Sequence, residues 1–246
     1  MKKNANAAPP SESSLPRTLA VDIGGTGIKT IILDPDGKPL TDRERIPTPP
    51  RATPKKVMTI IEQMARQQGE FDRVSVGFPG VVKNEKLLTA FNLGPGWTRF
   101  DFEKALSKHL MRPVRIANDA DVQGLGSVSG KGVELLITLG TGVGSSLFVD
   151  GHLAHLELGH HPFRKGRSYE DELGNAALQR KGKKKWSRHV LEAIETLRAA
   201  FNYDRLYIGG GNSKHIKATL PANTQIVSNL EGLLGGVMLW RDSDER

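Results

Sequence analysis

The chain contains no cysteine in 246 residues. Disulfides, thiolate nucleophiles and any zinc, haem or iron–sulfur site held by cysteine are therefore excluded, and no zinc is expected. Aromatic residues are scarce at 6%, with three tryptophans and three tyrosines. Nothing in the pattern reads as a basic sheet interleaved with aromatics, so no nucleic-acid partner is expected. No apolar run approaches the about 20 residues of a membrane-spanning helix, so no membrane partner is expected either. Met1 to Pro16 carries Lys2 and Lys3 but no apolar stretch, which does not fit a secretory leader. Together these absences point to the cytoplasm. Acidic residues are also in deficit, 27 against 35 basic ones, for a net charge of +8. Such a surplus favours an anionic partner, a phosphorylated substrate among them.

Glycine is plentiful, 27 residues, and much of it falls in short clusters at the ends of apolar runs. With 37% hydrophobic residues the chain can build a sizeable core. Residues 1–17, rich in Ala, Asn, Pro and Ser, read as a mobile tail. Thr18 to Ile23 and Ile28 to Leu33 read as strands joined by the turn Gly24-Gly25-Thr26-Gly27. A proline-rich stretch leads into a helix marked by Val57, Ile60, Ile61 and Met64. Val74 to Phe78 is a strand, Phe102 to Leu110 a helix, and Val114 to Ala117 a short strand. Val133 to Leu139 and Ser145 to Val149 flank a second turn, Gly140-Thr141-Gly142-Val143-Gly144. His160 to Lys185 is polar and has no clear periodicity. Val190, Ile194, Leu197 and Phe201 mark a helix. Arg205 to Ile208 is a strand ending in Gly209-Gly210-Gly211, and a last helix is predicted over Glu231 to Trp240. The two hairpins share one plan, which predicts a duplicated α/β core with a cleft between its halves.

Glycine turns let a backbone approach a ligand closely, and their N–H groups form concave anion sites. Two such turns could hold one phosphate chain from opposite sides, with Lys29 adding charge or pointing to solvent. Neither is a P-loop, and neither opens a helix as a dinucleotide fingerprint does. Asp119, beside Asn118 at a strand end, could take a proton from a hydroxyl attacking phosphorus. The plainer reading is a helix cap. Glu157 and His160 could face one polyol; His160 and His161 could instead bind metal, although no H-E-x-x-H pattern occurs. Asp22 could orient water around Mg²⁺, or be only a turn residue.

Taken together, Asp22-Ile-Gly-Gly-Thr-Gly-Ile-Lys29, Gly77-Phe-Pro-Gly80, Asn118-Asp-Ala-Asp121, Leu139-Gly-Thr-Gly-Val-Gly144, Glu157-Leu-Gly-His160 and Gly209-Gly-Gly-Asn-Ser-Lys214 resemble the ROK family of sugar kinases. The match runs from about Leu19 to Trp240. The short length and the absence of a Cys-rich zinc motif after Glu157-Leu-Gly-His160 are similar to its polyphosphate glucokinase subgroup. Ala154-His155-Leu156 departs from the subgroup, which usually has a Pro-Asn-Thr stretch there.

The resemblance implies an α/β fold of two ribonuclease-H-like or actin-like domains hinged around a central cleft. Residues 18–117 would form the smaller domain and 118–246 the larger, with the last helix near the hinge. It implies that Asp119 is the catalytic base and that Asn118, Glu157 and His160 contact sugar. Gly80 and Asn92 match segments lining the sugar pocket. Glu170, Asp171 and Glu172 are candidates for a further carboxylate there, with Glu170 and Glu172 taken as the sugar-binding pair. Asp22, Gly24, Gly25, Thr26, Gly27, Lys29, Gly140, Thr141, Gly142, Gly210, Gly211 and Lys214 would hold the donor, with Asp22 nearest Mg²⁺.

The reaction expected is phosphoryl transfer to the 6-hydroxyl of glucose from polyphosphate, ATP or both, by a homodimer. A basic run, Arg180-Lys-Gly-Lys-Lys-Lys185 with Arg188, and Arg164, Lys165 and Arg167 upstream, could guide polyphosphate or simply be solvated. Alternatives are an ATP-dependent kinase for mannose or N-acetylmannosamine, or a non-catalytic sugar-binding protein. A sugar-responsive repressor is not expected, since only 21 residues precede Asp22.

Overall fold

A computed structural model describes residues 15–83, 86–90 and 93–241. Most of the expected tail, and Phe91 and Asn92, lie outside them. The first half runs β1 (Thr18–Ile23), β2 (Ile28–Leu33), β3 (Glu44–Ile46), α1 (Pro54–Gln68), β4 (Arg73–Phe78), β5 (Val82–Lys83), β6 (Lys86–Leu87), α2 (Phe102–Leu110), β7 (Val114–Asn118) and α3 (Asp119–Leu125). The second half runs β8 (Val133–Leu139), β9 (Val143–Val149), β10 (His152–Ala154), β11 (Pro162–Arg164), β12 (Arg167–Ser168), α4 (Tyr169–Leu173), α5 (Asn175–Phe201), β13 (Arg205–Gly209), a 3₁₀ turn (Ser213–His215), β14 (Thr224–Ile226) and α6 (Asn229–Met238).

Two five-stranded sheets repeat one topology. Their orders are β3-β2-β1-β4-β7 and β10-β9-β8-β13-β14. In each, the first three strands are antiparallel neighbours and the last two run parallel to the central strand. The duplication expected from the two glycine hairpins is thus present in the strand order. The carboxyl ends of the parallel strands, where open α/β sheets bind ligands, carry Gly77 to Gly80, Asn118 and Gly209 to Gly211.

Side-chain alternation along the central strands sets the layers. Leu19, Val21 and Ile23 pack with Val57, Ile61 and Met64 of α1 and with Phe102 and Leu106 of α2. Ala20, from the opposite face of β1, packs with Ile31, Leu33, Leu233 and Val237, which seats α6 there. In the second sheet Leu135, Ile137 and Leu139 face Trp186, Val190, Ile194 and Leu197 of α5. Leu136 turns the other way to Ala120 of α3. Helices α3 and α6 therefore lie between the sheets, with α1 and α2 outside one and α4 and α5 outside the other. Full burial of each such aliphatic side chain contributes about 1.5–3 kcal/mol.

The polar stretch 160–185, unassigned from sequence, forms the β11–β12 hairpin, α4 and the start of α5. The basic run lies within α5, which kinks at Gly182 (φ 72°, ψ 157°). The last helix begins and ends two residues earlier than the periodicity predicts.

Candidate active site

A cavity of about 670 Å³ opens between the two sheets at their carboxyl ends. Its walls include Asp22, Gly24, Gly25, Thr26, Lys29, Gly80, Asn118, Asp119, Gly140, Thr141, Gly142, Glu157, His160, Glu170, Gly210, Gly211 and Lys214. Residues spread over nearly two hundred positions are brought together because both sheets end there.

The two glycine hairpins face the cavity and are braced differently. In the first, Gly24 N–H donates to the Gly27 carbonyl at 3.0 Å. Thr48 Oγ1 donates to the Gly24 carbonyl at 2.5 Å, and Arg45 Nη2 to the Thr26 carbonyl at 2.7 Å. Asp22 and Lys29 are register partners on β1 and β2; Lys29 Nζ reaches Asp22 Oδ2 at 2.6 Å. In the second hairpin, Gly140 N–H donates to Gly142 at 3.0 Å and Gly144 N–H to Thr138 Oγ1 at 3.1 Å. Val143 N–H donates to Glu170 Oε2 at 3.2 Å. The Gly140 carbonyl accepts from Asn175 N–H at 2.9 Å and Asn212 Nδ2 at 3.0 Å.

Asn118 caps α3, as its plainer reading expects. Its Oδ1 accepts from the N–H groups of Ala120 at 2.8 Å and Asp121 at 3.3 Å. Its Nδ2 also donates to the Gly80 carbonyl at 2.9 Å, tying the end of β4 to α3. The cap fixes the next residue, Asp119, at the start of the helix on the cavity wall. Burial pushes the Asp119 carboxyl up to about 7, and the carboxylates of Asp22, Asp121 and Glu157 push the same way. The Ala120 N–H, at 2.9 Å from Oδ1, opposes them. Asp121 is raised to about 6, chiefly by burial, although its Oδ2 lies 2.9 Å from His155 Nδ1.

Glu157 is held by its neighbours. Ser145 Oγ donates to the Leu156 carbonyl at 2.9 Å and accepts from Leu158 N–H at 3.0 Å. With both flanking residues pinned to β9, the Glu157 carboxylate lies at the cavity, where Oε1 accepts from Gly159 N–H at 3.1 Å.

Two expectations are corrected. Glu172 does not line the cavity; it is buried in a cluster with Lys181, His189, Arg164 and Arg167. A buried carboxylate needs such partners, and they hold it below its usual range against the opposing effect of burial. Arg164 and Lys181 are consequently turned in toward Glu172 and drop out of the exposed basic run, whereas Arg167 pairs with Glu172 at 3.5 Å yet stays exposed. Gly27 belongs to the first hairpin but does not form the cavity wall; the Arg45 guanidinium covers it. Asn92 lies outside the described residues. The sequence reading also missed Arg45, Asn175 and the bracing roles of Thr138 and Asn212. Asn212 sits inside a glycine motif and Thr138 directly precedes one, whereas no local pattern marks Arg45 or Asn175.

Two like α/β sheets, each offering a glycine hairpin to a shared cavity with a half-buried, raised-pKa carboxyl among the acidic groups on its wall, define a phosphotransferase of the actin-like fold. Residues 18–168 match the ROK family, and the chain belongs to it. It is 30% identical over 243 residues to the polyphosphate glucokinase of Mycobacterium tuberculosis, covering 89% of each chain. The crystal structure of the inorganic polyphosphate/ATP-glucomannokinase of Arthrobacter sp. strain KM superposes with a TM-score of 0.81 at 33% identity. That match covers 91% of this chain and 98% of the other. A ROK family glucokinase from Streptomyces griseus, in complex with glucose and AMPPNP, shares the fold with a TM-score of 0.77 at 20% identity, over 92% of this chain and 100% of the other.

Proposed function

We propose that this ROK kinase phosphorylates the 6-hydroxyl of glucose with polyphosphate or ATP as donor. The observation that carries the reading is Asp119, a carboxyl raised to about 7, in the same cavity as both glycine hairpins. A base poised near neutral pH is suited to accept a hydroxyl proton. Asp119 takes the proton of the sugar hydroxyl as its oxygen attacks phosphorus. Glu157 and His160, from the segment after β10, orient the sugar hydroxyls. Asn118 acts on the sugar side by placing Gly80 and Asp119 together. The hairpin N–H groups and Lys214 hold the donor in line. The likeness to the polyphosphate glucokinase and the glucomannokinase supports the sugar and both donors.

Magnesium suits this donor set. Asp22 offers a carboxylate on the cavity wall, and Mg²⁺ is ordinarily held by one or two carboxylates, with water and donor phosphates completing its shell. Among the described residues no group of three or more acidic or histidine side chains is gathered for a metal, which fits an ion carried in by the donor. When bound it would neutralise charge on the transferred group. The two halves, 18–117 and 118–246, would close on the sugar and exclude water, with α6 and α3 at the hinge. A homodimer in the cytoplasm completes the proposal. No helix among the described residues is long and apolar enough to cross a membrane.

The test is a panel of glucose, mannose and N-acetylmannosamine against polyphosphate and ATP, reading phosphorylated sugar. Glucose 6-phosphate from both donors is the expected result. Product from another hexose alone, or from none, rejects the reading.

A further inference from the structure

The first hairpin has beside it a cation that the reaction above does not use. Arg45 stands opposite Lys29 in the β2–β3 register, is exposed, and lines the cavity. The two cations differ in their partners. Lys29 is neutralised by Asp22 at 2.6 Å. Arg45 donates to the carbonyl of Thr26 at 2.7 Å, a neutral acceptor, and among the described residues no carboxylate pairs with it. A guanidinium has several N–H donors in a rigid fork, so the Thr26 bond leaves most of the fork for an anion.

Gly27 makes this placement possible. A Cβ at position 27 would lie 2.5 Å from Arg45 Nε and 2.8 Å from Cζ and Nη2. The guanidinium can rest against the hairpin only because this residue lacks a side chain. Across the same cavity lie Lys214 and His215. Burial and the charges of Lys183, Lys214 and Lys217 lower the pKa of His215; of these lysines Lys214 lines the cavity.

We propose that Arg45 is a donor-binding residue. Its guanidinium, steadied by Thr26 and accommodated by Gly27, contacts a phosphate of a condensed phosphate chain from the side of the first sheet, opposite Lys214. An arginine fork adds geometric selectivity for phosphate to its charge. Inorganic polyphosphate and a nucleoside triphosphate share this chemistry. The inference rests on the phosphotransferase reading above.

The experiment is a calorimetric titration, without sugar, of tripolyphosphate and separately of AMPPNP. It is run on the wild type and on Arg45→Ala, Arg45→Gln, Arg45→Lys and Gly27→Ala. Thermal melts establish that each variant is folded. Arg45→Gln can keep a bond to the Thr26 carbonyl but not the charge, and therefore separates support of the hairpin from contact with the anion. Arg45→Ala and Arg45→Gln are each expected to weaken tripolyphosphate about tenfold or more at low salt. The loss should shrink between about 50 and 500 mM salt. Arg45→Lys recovers part of it, and Gly27→Ala reproduces part of it. An equal loss for AMPPNP extends the contact to nucleotides; a loss for tripolyphosphate alone confines it to the inorganic chain. The proposal is overturned if Arg45→Gln binds tripolyphosphate as the wild type does, if its loss is the same at both salt concentrations, or if the wild type binds neither anion. Failure of the wild type to phosphorylate glucose would count against the proposed function instead, because no sugar enters this titration.

Discussion

Asp119 is the first residue of α3, and its environment rather than its type sets where it titrates, which is what the proposed role as base requires. An isolated aspartate titrates near 4. Here burial, followed by Asp22, Asp121 and Glu157, moves the carboxyl to about 7. The acid limb of kcat/KM should therefore inflect near pH 7, with activity rising as the base ionises. Removing one of the like charges makes ionisation easier. Asp22→Asn should accordingly move that limb to lower pH whatever it does to the maximal rate, and a pH–rate profile of the variant checks this. The same shift bears on stability. An acid whose folded pKa lies above its unfolded value weighs increasingly against the fold as pH rises from one to the other. Asp119→Asn should lose turnover by at least about 10²-fold. It should also raise Tm by more at pH 8 than at pH 5. Near-normal turnover would remove Asp119 from the mechanism.

Among the elements, the α3–β8 connection and the kinked α5 show how charge is placed. Glu134 at the start of β8 is fully buried. Its carboxylate accepts from the N–H groups of Ser129, Gly130 and Lys131, from Ser129 Oγ, and from the Tyr207 hydroxyl. Burial works to raise its pKa, but these donors outweigh it and hold it low. Glu134→Ala leaves the donors without an acceptor. It should cost on the order of 3 kcal/mol in a urea melt. In the wild type this contribution is present above the ordinary glutamate range and is lost as pH falls through the lowered value.

In α5 the kink at Gly182 separates two kinds of lysine. Lys181, before it, turns inward to Glu172 and His189. Lys183, Lys184 and Lys185, after it, are exposed. Trp186 anchors this part of the helix, its Nε1 donating to the Leu173 carbonyl at 3.0 Å. Lys183 lies near enough to His215, on the cavity rim, to depress its pKa. Replacing Lys183, Lys184 and Lys185 with glutamine should raise the KM for polyphosphate several-fold at low salt and change the KM for ATP less. Equal effects on both donors would argue against a track that extends from the cavity.

At the scale of the whole molecule, α6 joins the halves. It follows the second sheet in sequence but packs on the first, with Leu233 and Val237 against Ala20, Ile31 and Leu33. Its approach to α3 depends on Gly235, where a Cβ would overlap the Val122 carbonyl oxygen. Just beyond it, Ser75 Oγ accepts from Trp240 Nε1 at 2.8 Å and donates to the Gly236 carbonyl at 2.5 Å. Arg73 and Arg115 lie over the Trp240 ring at 5.0 and 4.3 Å from its centroid. Gly235→Ala should therefore destabilise the protein by about 1–3 kcal/mol through overpacking. Thermal melts read this, and an unchanged Tm would show that the two helices can separate without cost.

What sequence alone determined is local. Strand alternation, glycine turns at strand ends and the cap Asn118 follow from backbone geometry and from the hydrogen-bonding needs of a few consecutive residues. These made both hairpins, the repeated strand plan and the cap at Asn118 legible, because each is a short pattern with its own physical reason; the role given to Asp119 came from the family resemblance. Tertiary structure decided which carboxylates share a cavity and which charges are cancelled. Glu170 and Glu172 are two residues apart on α4, yet one reaches Val143 and the other is buried against Lys181. Lys29 and Arg45 stand side by side, yet only Lys29 meets a carboxylate. Electrostatic partners are chosen by distance through space, and the chain brings them together only when the two sheets close around α3 and α6.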